Sequence, residues 1–335
     1  MNPPTRIRPF QPTHAEYAAV ARINDLAPPG ERQDFEPRTG ADLRAFDESF
    51  DPARHTLRRL VAEDAATGQL VGFAHFFHMP WAFDPRRFWC AVRCDPGHRR
   101  RGIGGRLYAE ILDELARRGA THARMMARDT LPEAVRRLER RGYREVLRSW
   151  EFELSLDRPE DPRWAGRAGA APGVEIAPLS EIAAGDPGWL AQVHALYVEV
   201  MRDVPLPGPL RIDPPPSWLE DHLLRWPTSL PDACLVARDG SAHVGLCILH
   251  RSDEDPGTLD HLLTGVASAH RGRGIGAALK LATIAHGRAR GYRRIRTAVE
   301  SNNPRMLALN EALGFVKRGG LILLEAELPG AGVAP

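Results

Sequence analysis

A chain of 335 residues is too long for one ordinary core and suits two domains of about 150 residues each. With 43% hydrophobic and 26% charged residues it has the composition of a soluble globular protein, and its formal net charge of +2 excludes wholesale binding to nucleic acid by charge alone. The first fourteen positions lack the apolar core of a signal peptide and no later stretch approaches the ~18 apolar residues of a membrane span, so a cytoplasmic protein with no membrane partner is expected.

In chain order, a first strand (residues 7–10) leads into helical patterns, and alternating apolar runs at 59–63, 69–77 and 88–94 read as strands. Cys90 and Cys94 share the last run, where four residues span roughly 13 Å, too far to chelate one ion. None of the four cysteines belongs to a CxxC pair, so no metal site is expected and the thiols read as reduced and packed. A glycine loop follows, then a long helix in which Ile103, Leu107, Ile111 and Leu115 form a buried stripe that Gly119 terminates. A strand, a short helix and two final strands complete the unit. Residues 157–173, rich in Pro, Gly, Ala and charge, read as an exposed linker.

The same order then repeats. HisArgArgArgGlyIleGlyGly at 98–105 recurs as HisArgGlyArgGlyIleGlyAla at 270–277, an offset of 172 residues. At that offset Gly102 matches Gly274, Gly119 matches Gly291, Gly142 matches Gly314, and Tyr143 matches Phe315, with no gap. The second set of strands falls at 233–238, 242–251 and 259–267. Domains at 1–156 and 174–330, joined by the linker, are expected to share one mixed α/β fold.

A strand running into ArgxxGlyxGly and then a helix presents backbone N–H groups, the positive end of the helix dipole and basic side chains to one point, which is a pyrophosphate cradle. Gly102, Gly104, Gly274 and Gly276 let the backbone approach an anion, and Arg99 and Arg271 add charge. The dinucleotide fingerprint does not fit, because Leu107 and Leu279 hold the third-glycine position, and no GlyLys(Ser/Thr) follows for an ATP loop. The basic clusters at 98–101 and 288–296 contain one aromatic residue, Tyr292, a poor platform for stacking bases.

These loops resemble motif A, (Gln/Arg)xxGlyx(Gly/Ala), of the GNAT superfamily, and Asn303, Met306, Asn310, Leu313, Gly314 and Phe315 resemble its motif B. The chain is similar to tandem GNAT proteins, a group that includes mycothiol synthase. The resemblance implies two tandem α/β folds, each a twisted, mainly antiparallel sheet flanked by helices, and acetyl-CoA as acyl donor to a small amine acceptor. In the second half it implies a cofactor site of Val266, Ala267, Arg271, Gly272 and Arg273, continuing through Gly274, Ile275, Gly276 and Ala277 to Asn303 and Asn310. In the first half it implies Cys94, Arg99, Arg100 and Arg101, continuing through Gly102, Ile103, Gly104 and Gly105.

Chemistry is expected in the second half. Asp260, on the strand leading to motif A, matches the family's acidic base, with His261 as a competing base that strand alternation turns to the opposite face. Many family members place a tyrosine, which protonates the leaving thiolate, where this chain has Asn310, and an amide is no general acid; Tyr197, Tyr292 or water would then supply that proton. The 172-residue offset sets Asp260 against Phe88, Asn303 against Leu131, Met306 against Ala134 and Asn310 against Leu138, so the first half lacks the polar set. Acceptor specificity is expected from 28–46 and 202–218, with Trp218, Trp226 and residues 81–83 as aromatic candidates. An N-acetyltransferase for a small amine, working as monomer or homodimer, is the leading expectation. A protein N-acetyltransferase and a non-catalytic acyl-CoA sensor are the rivals.

Overall fold

The computed structural model describes residues 5–27, 39–80, 82–158, 161–164, 166, 171–208, 211–212, 214–253 and 255–328. By internal packing the chain divides into two units. Unit 1 draws on the chain up to Leu147, on Gly208 and Arg211, and on Leu321 onward; unit 2 is built from Arg148–Pro207 and Ile212–Gly320.

Unit 1 contains β1 (Thr5–Pro9), α1 (His14–Asp25), α2 (Gly40–Glu48), β2 (Leu57–Asp64), β3 (Leu70–Phe77), β4 (Arg87–Cys94), α3 (Ile103–Arg117), β5 (His122–Arg128) and α4 (Pro132–Glu139). One long strand, β6 (Arg144–Ser155), follows α4 where two short ones are expected from the sequence. Unit 2 contains β7 (Glu175–Pro178), α5 (Leu179–Gly185), α6 (Trp189–Arg202), α7 (Pro216–Glu220), β8 (Leu235–Asp239) and β9 (Ala242–Arg251). It continues with β10 (Thr258–Val266), α8 (Ile275–Ala289), β11 (Arg294–Glu300) and α9 (Pro304–Ala312), and the last strand is β12 (Val316–Glu327).

Each unit closes its sheet with a strand from elsewhere in the sequence. In unit 1 the order is β1-β2-β3-β4-β5-β12, with Leu321–Glu327 of β12 antiparallel to β5. In unit 2 the order is β7-β8-β9-β10-β11-β6, with Ser149–Ser155 of β6 antiparallel to β11. The division by packing therefore differs from the contiguous one at 156/157 and 173/174: residues 148–155 pack with unit 2 and 321–327 with unit 1. Of the expected linker, 159–160, 165 and 167–170 lie outside the described residues. The rest is anchored in unit 2, where Trp164 Nε1 donates to the Ala312 carbonyl at 2.9 Å and Arg288 Nη2 to the Arg158 carbonyl at 3.1 Å.

Both cores form as the periodicity dictates. Ile103, Leu107, Ile111 and Leu115 bury one face of α3 against Val71, Phe76 and Phe88, and Leu324 of β12 completes that core. Ile275, Leu279 and Ile284 of α8 pack against Leu235, Leu259 and Ile295 in unit 2. Each such side chain contributes about 1.5–3 kcal/mol on burial. The matched glycines of the repeat have a common physical cause. Gly119, Gly142, Gly291 and Gly314 all have φ between 66° and 87° and each follows a helix end. In all four cases the next residue's N–H reaches back five residues, as Ala120 does to the Leu115 carbonyl and Tyr292 to the Gly287 carbonyl. This is the Schellman closure, which needs a left-handed residue after the cap.

Candidate acyl-transfer site

In unit 2 the sheet is split where the site lies. β10 pairs in parallel with β11 only from Thr258↔Arg294 to His261↔Thr297, after which β10 runs on to Val266 beside β9 and β11 runs on to Glu300 beside β6. The two strands part into a wedge. Because they are parallel, the wedge opens toward the end at which β10 leads into the glycine turn. Its inner limit coincides with a bulge in β10: the ladder with β9 shifts between His261 and Leu263, leaving Leu262 as the extra residue, 48% exposed. Unit 1 has the corresponding wedge, since β4 pairs with β5 only from Arg87↔His122 to Trp89↔Arg124.

The bulge corrects the register read from the sequence. Asp260 pairs with Arg296 as Trp89 pairs with Arg124, so the partner of Asp260 in unit 1 is Trp89 rather than Phe88. Phe88 corresponds to Leu259, and both are buried. The inserted residue changes the offset before it, which a gap-free comparison of glycines cannot detect. Unit 1 still has no acid at this position.

At the mouth of the wedge, Gly274 caps α8 with φ 80° and Gly272 also has φ 80°. A Cβ at either would meet nothing within 4 Å, so the two glycines face open space in a backbone state that costs other residues about 1–2 kcal/mol. Gly276 stands with its would-be Cβ 3.7 Å from Val266 Cγ2, and Ile275 is buried as the first core residue of the helix. Ala277 is partly exposed in the first turn, and Ala267 N–H donates to the Val244 carbonyl at 2.9 Å. The arginines are held in place. Arg271 Nε donates to the Val266 carbonyl at 3.1 Å and its Nη2 pairs with Asp203, while Arg273 Nη1 pairs with Asp239 at 2.7 Å. Unit 1 builds the same turn with Gly102 at φ 79° and, where unit 2 has Gly272, with Arg100 at φ 62°. Gly104 there approaches Cys94, its would-be Cβ 3.5 Å from the sulfur, and Gly105 faces open space. Ile103 is buried, Arg101 Nη2 donates to the Gly97 carbonyl at 3.2 Å, and Arg99 ends the short 3-10 turn before the loop.

The expected catalytic residues separate by face. Asp260 is held by Arg296, whose Nε and Nη2 donate to its two oxygens at 3.0 and 3.4 Å while Nη2 also donates to Ser252 Oγ at 2.6 Å. His261 turns the other way into the core. Its Nε2 lies 2.5 Å from Thr264 Oγ1 and 3.3 Å from Cys247 Sγ, and its Nδ1 lies 3.4 Å from Lys280 Nζ of α8. Burial, reinforced by the Lys280 charge, holds the imidazole well below its usual range, so His261 is a neutral core group rather than a base for an amine. Lys280 is itself buried, stands over the Phe315 ring at 5.2 Å, and is lowered by desolvation to about 8.

Of the motif B pair, Asn303 caps α9, its Oδ1 accepting from the Met306 N–H at 3.3 Å. Asn310 is fully buried and neither its Oδ1 nor its Nδ2 has a hydrogen-bond partner. A buried primary amide left unpaired costs about 1–3 kcal/mol per group, which a bound polar ligand would offset. Burial pushes the Tyr197 hydroxyl far above its usual value, and its ring lies 6.2 Å from Trp218.

Two features of this region are not read from the sequence. Glu300 ends β11 on the face of the sheet that strand alternation gives it in common with Arg296, and burial raises its carboxyl above its ordinary value. A period-two count from Arg296 would have found it. The stack of Trp218 on His222, at 5.1 Å and 8°, adjoins His250, which lies opposite Asp260 in the ladder. It depends on a π-helical turn, Asp221–Arg225, that no simple spacing predicts. Of the expected acceptor segments, 28–38, 81, 209–210 and 213 lie outside the described residues. Among the described residues no three His, Cys, Asp or Glu side chains are grouped to hold a metal, and no helix is long and apolar enough to cross a membrane.

Comparison with known proteins agrees with this geometry. The acetyltransferase (GNAT) family model matches residues 20–143 and again 191–315. The chain is 29% identical over 234 residues to a mycothiol acetyltransferase of Thermobispora bispora, covering 66% of this chain and 70% of that protein. It is 26% identical over 303 residues to the one of Actinosynnema mirum, covering 89% of each. Among solved structures, a tandem GNAT protein from the clavulanic acid biosynthesis pathway superposes with a TM-score of 0.72 at 21% identity, covering 99% of this chain and 100% of that one. A GCN5-related N-acetyltransferase from Sphaerobacter thermophilus does so with 0.67 at 19%, covering 97% and 96%. These likenesses establish the shared fold. Two family matches, each spanning one parting-strand wedge and its glycine turn, mean that the chain belongs to the GNAT family of acetyltransferases, with two copies in tandem.

Proposed function

We propose that the protein transfers an acetyl group from acetyl-CoA to a primary amine of a small molecule, and that unit 2 carries out the reaction. The observation that carries this reading is the turn at Gly272 and Gly274, which aims open backbone at the mouth of the β10–β11 wedge while Asn310 keeps two buried polar atoms unpaired. Acetyl-CoA fits both features. The α8 N-terminus would take its pyrophosphate, with Arg271 and Arg273 nearby, and Asn310 would pair with a polar part of the arm. The thioester supplies an acetyl group already activated toward nitrogen.

The remaining work falls to this chain. β10 beyond its bulge offers backbone where a thioester carbonyl needs donors, and a carboxylate on the acceptor face takes a proton from the incoming ammonium. Unit 1 keeps the turn but has Trp89, Leu131 and Leu138 where unit 2 has Asp260, Asn303 and Asn310, which supports a role in binding or stability rather than chemistry. The relatives named as mycothiol acetyltransferases support a small-molecule acceptor, and none of them fixes the amine for this chain.

The test is thiol release from acetyl-CoA by the full chain with glucosamine, S-methylcysteine amide, spermidine and kanamycin as probes. Release above the acceptor-free rate with at least one of them, falling by about 10²-fold in Gly274→Val, is expected. Calorimetric binding of CoA with no release across the panel would instead make the protein a sensor.

A further inference from the structure

The acceptor-facing side of the unit 2 sheet carries acids on three strands, and their surroundings differ. Asp260 on β10 is tied to Arg296 by two hydrogen bonds, and Arg296 is anchored in turn on Ser252. Asp260 also sits at the level where β10 and β11 are still paired, one residue before the ladder ends at His261↔Thr297. On β6, Glu153 accepts from Arg318 at 3.0 Å and lies 3.7 Å from Arg294.

Glu300 stands apart from both. It is the last residue of β11, three residues past the end of the ladder with β10, where the strands have separated. Among the described residues its carboxylate has no ion pair. Four residues beyond Arg296 on the same strand, it shares the face of Arg296 and Asp260. The turn that follows it is fixed: Asn303 N–H donates to the Glu300 carbonyl at 2.9 Å and Asn302 Nδ2 to the Pro205 carbonyl at 3.4 Å. Its carboxylate is therefore held by a rigid strand end at the open part of the wedge.

We propose that Glu300 is the catalytic base of unit 2, receiving the acceptor's ammonium group and taking its proton, while Asp260 serves as a positioning residue that fixes Arg296 and the closed end of the wedge. This rests on the acyl-transfer reading above. The ammonium gives one proton to the Glu300 carboxylate; the freed nitrogen lone pair forms the N–C bond at the thioester carbonyl; the C–S bond breaks with its electrons going to sulfur. The second proton leaving nitrogen is matched by protonation of the thiolate, and Glu300 returns its own proton to solvent. The charged and titratable groups that share its face are Asp260 on β10, Arg294 and Arg296 on its own strand, and Glu151 and Glu153 on β6, with Ser149 directly opposite. Burial raises the Glu300 carboxyl above the ordinary carboxylate range, so the loss of kcat/KM on acidification is expected above that range.

The experiment compares kcat/KM from about pH 5 to about pH 9 for the full chain, Glu300→Gln, Glu300→Asp and Asp260→Asn, using the best acceptor of the panel above and measuring acetyl-CoA binding for each by calorimetry. For Glu300→Gln, a fall of about 10²-fold or more with the acidic limb abolished and CoA affinity kept supports the proposal, as does partial rescue with a displaced limb in Glu300→Asp. Asp260→Asn is expected to keep the limb and lose less than about tenfold. Loss of the limb in Asp260→Asn with its retention in Glu300→Gln would assign the base to Asp260 and overturn the proposal. So would a Glu300→Gln defect that tracks lost CoA binding. A wild-type chain silent across the panel would overturn the acyl-transfer reading and the proposal together, whereas an active wild type with an equally active Glu300→Gln would overturn the proposal alone.

Discussion

Unit 1 and unit 2 close the same left-handed turn over the same parted strands, yet only in unit 2 do the two parting strands themselves carry carboxylates, Asp260 and Glu300. Gly102 and Gly274 have φ of 79° and 80°, and the unit 1 ladder stops at Trp89↔Arg124 while that of unit 2 runs one pair beyond Asp260↔Arg296, to His261↔Thr297. The side chains around these matching backbones diverge: Trp89 stands for Asp260, Arg128 for Glu300 and Leu138 for Asn310. A backbone cradle survives any substitution that respects its dihedral angles, whereas proton transfer depends on particular side chains. Retention of the turn is thus weak evidence of chemistry, and the polar atoms around the wedge are the better guide.

Breaking the two turns in parallel gives the largest expected contrast. Gly274→Val and Gly102→Val each force a β-branched residue into the left-handed region, at a similar stability cost of about 1–2 kcal/mol. Thiol release with acetyl-CoA is expected to fall by about 10²-fold in Gly274→Val, because displacement of a positioning element by about 1 Å has that effect, and far less in Gly102→Val. Equal losses would mean that both units bind the donor for catalysis.

The second contrast concerns how each sheet is completed. In unit 1, β12 brings Glu325 to the fully buried Arg124 at 2.6 Å and to Arg87 at 2.7 Å. Desolvation raises the Glu325 carboxyl, but the hydrogen bond and charge of Arg124, then those of Arg87, outweigh it and hold the group below its usual value. The corresponding Arg296 of unit 2 is half-buried and pairs within the site instead. Glu325→Ala removes the carboxylate that the buried Arg124 shares with Arg87, and breaking a buried ion pair from one side costs about 3–5 kcal/mol. A urea midpoint lowered accordingly is expected, and a chain ending before Leu321 should lose the unit 1 fold altogether.

Much of this was legible in the sequence because it rests on local rules. The helix stripe at Ile103, Leu107, Ile111 and Leu115 and the capping glycines at 119, 142, 291 and 314 follow from chain geometry alone. The exchanged strands were not legible, since 144–155 and 316–327 alternate like any strand and nothing local states which partner they will find. The one-residue bulge at Leu262 was hidden for a related reason: it shifts the register without altering the glycines used to align the halves. His261 and Asn310 look alike as polar residues near a motif, and only packing distinguishes a histidine satisfied by Thr264, Cys247 and Lys280 from an amide with no partner at all.

The cores beneath the turns differ in a way that pH can expose. At matching positions unit 1 buries Tyr108, its hydroxyl 3.2 Å from that of Tyr143, while unit 2 buries Lys280 over Phe315. Desolvation lowers Lys280 from 10.5 to about 8. Below about pH 8 the lysine is protonated in both folded and unfolded states, and unit 2 bears the full cost of a buried ammonium. Between about 8 and 10.5 the folded state has released the proton and the unfolded state has not, so stability rises with pH, by about 3 kcal/mol across the window. Urea midpoints from pH 7 upward are expected to climb, and Lys280→Met is expected to be more stable at neutral pH and to lack that slope.

The smallest effect tests the turns themselves. Arg100 holds φ 62° where its counterpart Gly272 holds 80°, and the left-handed region disfavours any residue with a Cβ. Arg100→Gly relieves that strain but adds backbone freedom to the unfolded chain, which recovers part of the gain. A net stabilisation of about 0.5–1 kcal/mol in the urea midpoint is expected. The reverse change, Gly272→Arg, imposes the strain in unit 2 and should cost a similar amount of stability. Because unit 1 already tolerates arginine at this position, Gly272→Arg is expected to keep acetyl-CoA affinity within about threefold by calorimetry. A collapse of affinity would show that the unit 2 turn needs a bare backbone at 272 and that the two cradles have diverged in binding as well as in chemistry.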